Sequence, residues 1–199
     1  MIGALVQNVV GGFLQPRTSV RRIIDGGHGF DAALLMALLA LLVREMFIVL
    51  FSGVQTDASG LQLGAHVLAL IEGLVSFAVL SAVVYGAGRM FRGTGTWRET
   101  LLAMAWYLLV TSVLVPLALP ALVHLTDAVK AADGGPVGAV DIPGNLLTMF
   151  AVASGIMLWL FACYVAELHR FARTWNVVAV MLGLSVAFSF ILMALVPSP

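Results

Sequence analysis

Three charged side chains sit where charge is costly: Arg44, Glu45 and Glu72 all lie inside long apolar stretches of the sequence. An unpaired ion at the bilayer centre costs at least ~2.5 to 3.5 kcal/mol on insertion scales, so such a residue either finds a partner or serves a site. Arg44 lies seven residues before the end of one apolar stretch, and Glu72 lies nine residues into the next. At a helical rise of ~1.5 Å per residue, the two fall ~10 and ~13 Å from the same face. Antiparallel neighbours would allow a bidentate guanidinium–carboxylate contact between them. Glu45 is rotated ~100° from Arg44 and could take a second partner or compete for the same one. Ser76 follows Glu72 by one turn and completes an intramembrane polar cluster of Arg44, Glu45, Glu72 and Ser76. Two readings stay open, a structural ion pair that fixes helix register, and a proton, ion or polar-substrate site.

Metal chemistry has weaker support. His66 and Glu72 are six residues apart and point about 120° away from each other on one helix, so a metal would need further ligands from elsewhere, for instance His124 at the outer end of the third segment. The single cysteine, Cys163, falls within an apolar stretch, which leaves no disulfide framework and no cysteine zinc site. The sequence holds no hydrolase elbow, no His-Glu-x-x-His motif, no phosphate-binding glycine loop and no Asp-rich phosphotransferase motif. The expectation is a protein that is not an enzyme, has no catalytic residue and carries no cofactor.

The elements that must position these residues are five apolar segments: Ala32 to Phe51, Leu63 to Tyr85, Leu101 to Val123, Leu146 to Ala166 and Val177 to Val196. Each has about the twenty residues a helix needs to cross ~30 Å of hydrocarbon. Hydrophobic residues make up 61% of the chain, charged ones 10%, and the mean hydropathy is +1.06, which excludes an ordinary soluble domain with ~25% charged residues. The fold class expected is all-α, a bundle of five transmembrane helices behind a short interfacial amphipathic helix. Residues 1–30 form the interfacial helix and basic segment, and 31–199 the five-helix domain.

Arginine placement gives the bundle a direction. Arg17, Arg21 and Arg22 precede the first segment, Arg89, Arg92 and Arg98 separate the second from the third, and Arg170 and Arg173 separate the fourth from the fifth. The alternate gaps hold only Lys130, and the remaining arginine is Arg44. By the positive-inside rule the N-terminus is cytoplasmic and the C-terminus faces outward. A formal net charge of zero hides this asymmetry and says nothing of partners, among which nucleic acid is not expected.

Ile2, Leu5, Val6, Val9, Val10 and Phe13 recur at helical spacing ahead of Pro16, which predicts a short helix in the cytoplasmic interface. Arg17, Arg21 and Arg22 then present a basic face to lipid phosphates, either as a topology anchor or as a docking surface. The outer connection from His124 to Asn145 holds Asp127, Asp133 and Asp141 without the ligand spacing of a calcium loop. Pro116 and Pro120 predict a kink or an end in the third span. Trp97, Trp106, Tyr107, Tyr164 and Trp175 fall near segment boundaries and are expected to be interface anchors.

Three stretches at the basic end resemble a known family. They are Phe13-Leu14-Gln15-Pro16-Arg17-Thr18 with Arg21-Arg22-Ile23-Ile24, then Phe91-Arg92-Gly93-Thr94-Gly95-Thr96-Trp97-Arg98-Glu99-Thr100, and Ala166-Glu167-Leu168-His169-Arg170-Phe171. Together with the number, order and orientation of the spans, they are similar to the bacterial branch of the Yip family, the five-span proteins named for Ypt/Rab interaction. The resemblance implies a bacterial inner-membrane protein whose partners are membrane lipids, a second copy of itself or another membrane protein. Eukaryotic members bind Rab GTPases through a long N-terminal region. Only about thirty residues precede the first span here, so no Rab partner is expected. The Glu167-Leu168-His169 stretch resembles a recurring acidic, histidine-bearing segment of the family, with an arginine where many relatives carry a small residue. Arg170 and Arg173 could pair with Glu167 and Glu99, a clamp of Glu99, Glu167, His169, Arg170 and Arg173 that is either structural or a binding site. Two functions remain open: a non-catalytic organiser of lipids or partner proteins, and a small carrier or channel using Arg44, Glu45 and Glu72.

Overall fold

In the structure, a computed structural model, residues 2–51, 60–131 and 143–183 are described, with the side chains of residues 2, 4, 5, 60–63 and 125–131 left aside. The elements are α1 (Ile2–Leu14), α2 (Pro16–Asp25), α3 (Phe30–Phe51), α4 (Gly60–Met90), α5 (Trp97–Ser112), α6 (Val115–Ala131), α7 (Gly144–Leu168) and α8 (Thr174–Gly183). Every regular element among the described residues is a helix. Three of them, Phe30–Phe51, Gly64–Met90 and Gly144–Leu168, are long and apolar enough to cross a membrane, and the bent pair α5 and α6 adds a fourth. The fifth predicted span, Val177–Val196, is described only as far as Gly183, and the rest lies outside the described residues. The aspartate loop likewise lies mostly outside them.

The third span differs from the straight helix expected over Leu101–Val123. It is two helices at 71°, broken at Val113 and Leu114. Pro116 falls in the first turn of α6, where its missing N–H leaves no helical bond unmade, while Pro120 sits inside that helix. Thr111 and Ser112 turn their hydroxyls back onto the carbonyls of Tyr107 and Leu109, both at 2.8 Å, a contact that favours bending.

The short α5 is the axis of the bundle. It packs against α1, α2, α3, α4 and α7, and Leu101 to Trp106 are all buried. Thr96 caps its start, accepting from Glu99 N at 3.3 Å while Glu99 Oε2 accepts from Thr96 N at 2.7 Å. On α3, buried Ala33, Ala37 and Ala40 fall at helical spacing, and small residues let two backbones approach closely.

The N-terminal segment is docked on this axis as well as amphipathic. It breaks at Gln15 into two helices, Val20 is fully buried in the same apolar cluster as Leu102 and Leu160, and Ser19 Oγ accepts from Trp106 Nε1 at 2.9 Å. Val6, Val10 and Leu14, one turn apart, stay exposed on the outer side of α1. Trp106 and Tyr164, expected as interface anchors, are instead core residues, at 3% and 0% exposure. Both are drawn inward because α1 and α2 cover the face that would have met the interface. Trp97 and Trp175 are exposed, as anchors require.

Candidate functional site

The ends of α2, α4 and α7 meet near the start of α5, and among the described residues most of the side-chain ion pairs and long-range polar contacts lie at this basic end. Glu167, in the last turn of α7, is its centre. Its carboxylate accepts from Arg17 Nε at 2.8 Å and from Arg21 Nη2 at 2.6 Å. The same two guanidinium groups also reach main chain, Arg17 to the Phe171 carbonyl at 3.1 Å and Arg21 to the Glu167 carbonyl at 3.3 Å. The clamp expected at this end therefore exists with different partners. Glu167 pairs with arginines 146 and 150 positions away, not with Arg170 and Arg173, and Glu99 is used in the cap of α5. The lipid-facing reading of Arg17 and Arg21 changes for the same reason, since a carboxylate held by two forked donors competes well with water and phosphate. Arg22 remains exposed. Arg98 ties the start of α5 to the Gly27 and His28 carbonyls.

His169, the residue after α7, is 2% exposed. Its Nε2 donates to the Val84 carbonyl at 3.2 Å, and its Nδ1 is buried with no hydrogen-bond partner. Gly88, Gly93 and Gly95 form its socket. A Cβ on Gly88 would overlap the imidazole ring, and one on Gly93 would lie 2.5 Å from Nδ1. Burial pushes the His169 pKa below the ordinary histidine value, although the Val84 carbonyl and the Glu99 charge act in the opposite direction. His169 thus fastens the α7 end to the α4–α5 connection as a neutral ring.

Both long helices stop in the same way beside it. Gly93 N bonds to Gly88 O at 2.7 Å and Phe171 N to Ala166 O at 2.8 Å, the six-to-one bond of a Schellman turn. The left-handed residue of such a turn is usually glycine, but here it is Arg92 at φ 60° and Arg170 at φ 58°. The arginine after His169 does not prevent the tight turn; it takes up the strained position itself.

Between α4, α7 and α8 at this end opens a cavity of about 410 Å³. Leu80, Val84, Phe161, Val165, Val177 and Met181 line its depth, and Gly88, Phe91, Phe171, Ala172 and Asn176 line its mouth. From Leu80 to Phe91 it extends about 16 Å along α4, roughly half of a ~30 Å hydrocarbon core. Arg89, Arg92, Arg170 and Arg173 each adjoin a mouth residue in the chain, are exposed, and have no side-chain partner among the described residues. Composition alone gave no sign of the cavity. The two arginines at helix ends before aromatic or small residues were the signal available.

The intramembrane cluster is not brought together. Glu45 faces His66, with Oε2 and Nδ1 3.4 Å apart, and no ion pair joins Arg44 to Glu72 among the described residues. Arg44, Glu72 and Ser76 are all exposed on the single chain. The register was nevertheless anticipated correctly, since Leu41 packs onto Gly73. Glu45 lies only ~40° around α3 from Leu41 and so reaches α4, whereas Arg44 lies ~60° to the other side. His66 and His124 do not share a site. No group of three potential metal ligands occurs among the described residues.

Comparison with known proteins agrees with this architecture. The Yip1 domain profile matches residues 11–195, nearly the whole chain. No curated protein and no solved structure matches the chain. With several membrane-length helices under a family match of that extent, the chain is a multi-pass membrane protein that belongs to the Yip1 domain family.

Proposed function

We propose that this protein is a non-catalytic organiser of anionic phospholipid in the cytoplasmic leaflet of a bacterial inner membrane. The N-terminus and the basic end are placed in the cytoplasm by the positive-inside rule. The observation that carries the reading is the one-leaflet apolar cavity whose mouth adjoins four uncommitted arginines. An acyl chain fits the depth of such a slot, and guanidinium groups at the interface favour a lipid phosphate. The two turns hold Arg92 and Arg170 next to the mouth residues Phe91 and Phe171, which places two of the four cations at the cavity entrance. The exposed Val6, Val10 and Leu14 stripe of α1 adds a second contact with the same leaflet.

The carrier reading draws on the 71° break in the third span, since broken helices line transport sites. Of its proposed residues, Arg44, Glu72 and Ser76 are exposed and Glu45 faces His66, and the hydroxyls at the break bond their own helix.

Native mass spectrometry after exchange into phosphatidylglycerol or phosphatidylcholine nanodiscs tests the proposal. The organiser reading expects bound phosphatidylglycerol to survive release at least tenfold better than phosphatidylcholine, with the preference lost when Arg89, Arg92, Arg170 and Arg173 are all changed to glutamine. Equal retention of the two lipids by the unaltered protein overturns it.

A further inference from the structure

Arg44 and Glu72 have opposite charge, and each is exposed on the single chain without an ion-pair or hydrogen-bond partner among the described residues. Both lie well inside membrane-length helices. Arg44 is fourteen residues from Phe30 and seven from Phe51, or ~21 and ~10 Å along α3. An uncovered ion at that depth faces hydrocarbon, at a cost that a partner of opposite sign removes. Snorkelling shortens the exposure of one long arginine, but a glutamate has little length with which to reach the interface.

Their relative depth follows from two contacts. Leu41 packs against Gly73, and Glu45 meets His66 at 3.4 Å, so rising numbers on α3 meet falling numbers on α4. Arg44 is three residues beyond Leu41 and Glu72 is one residue before Gly73, both displaced toward the same end. The two charges therefore differ in depth by about 3 Å on adjacent helices.

We propose that the α3–α4 face is a homodimer interface in which Arg44 of each copy pairs with Glu72 of the other. A two-fold axis along the membrane normal leaves every residue at its own depth, so an opposite pair at one depth is self-complementary under that operation. One patch supplies two reciprocal ion pairs and leaves no charge uncovered. Ser76, exposed one turn from Glu72 on α4, is small enough for the second copy to approach closely. The inference is independent of the lipid cavity, which lies on α4, α7 and α8 near the basic end.

The test uses full-length protein with two different tags, counted by single-molecule photobleaching in native membrane nanodiscs. The unaltered protein is expected to be dimeric. Arg44→Glu alone and Glu72→Arg alone each place like charges opposite one another and are expected to lower the dimer fraction at least tenfold. Co-expression of those two variants restores both reciprocal pairs, and mixed-tag dimers return. An ion pair within one chain predicts no such rescue, because each variant then carries two like charges whatever its neighbour. A monomeric unaltered protein, or undiminished dimers of either single variant, overturns the proposal. Should the variants fold poorly, disulfide trapping decides. With Cys163→Ala, copies carrying Arg44→Cys and Glu72→Cys are expected to cross-link. Linkage no greater than that of a Trp159→Cys control on exposed α7 overturns the proposal.

Discussion

The Nε2 of His169 donates to the Val84 carbonyl at 3.2 Å, joining the end of one membrane-length helix to the interior of another across 85 positions of sequence. Because its Nδ1 is buried without a partner, protonation would place an unsatisfied N–H and a charge in the glycine socket. A histidine whose folded pKa is depressed binds fewer protons folded than unfolded. Stability is then full above the unfolded value of ~6.5 and falls as pH drops below it. Thermal melting in detergent between pH 7.5 and pH 5 should therefore show a declining midpoint, and His169→Gln should flatten the part of that decline due to this ring. An identical slope in the variant would remove His169 as its source.

The same socket predicts the effect of filling it. Gly88→Ala puts a methyl group into the imidazole ring, and overpacking of that kind costs ~1–3 kcal/mol. A lowered melting temperature, with the exchange-protected core of α5 retained, is the expected result.

Glu167 holds α2 through both Arg17 and Arg21. Hydrogen bonds to charged groups contribute ~1.5–3 kcal/mol each at best, and partial exposure of both arginines brings the figure toward the lower end. Glu167→Gln should raise amide hydrogen exchange in α1 and α2 several-fold while leaving the centre of α7 protected. Arg173→Gln, which breaks no ion pair among the described residues, should leave α1 and α2 as they are.

Arg170 sits in a left-handed conformation at φ 58° that glycine adopts without the cost of ~1 kcal/mol or more borne by other residues. Arg170→Gly should raise thermal stability and at the same time weaken retention of phosphatidylglycerol. Gain of stability without loss of lipid would separate the arginine from the proposed headgroup site.

Filling the cavity isolates its role from that of the arginines. Ala87→Phe projects bulk into a space of about 410 Å³ and should displace bound lipid with little effect on melting. Unchanged lipid retention would place the acyl chain elsewhere.

Sequence alone determined the class, the membrane-length helices and the depth at which charges occur, because a bilayer imposes a single length and polarity rule on every spanning segment. Leu63–Tyr85 and Leu146–Ala166 differ from α4 and α7 only in their ends, and the family resemblance at Arg92–Thr100 and Glu167–Phe171 marked the part of the chain where the basic end is built. Which charge meets which was decided by packing. The ~100° step between Arg44 and Glu45 sends one outward and the other to His66, and no spacing rule ranks those outcomes before the α3–α4 crossing is known. Glu167 chose Arg17 and Arg21 over its sequence neighbours because α2 lies against α7. Arg170 is instead taken up in the left-handed position of the turn and stays exposed. The bend at Val113 and the slot between α4, α7 and α8 are likewise products of how short α5 sits at the centre of the bundle, a property of the assembled helices and of no single segment.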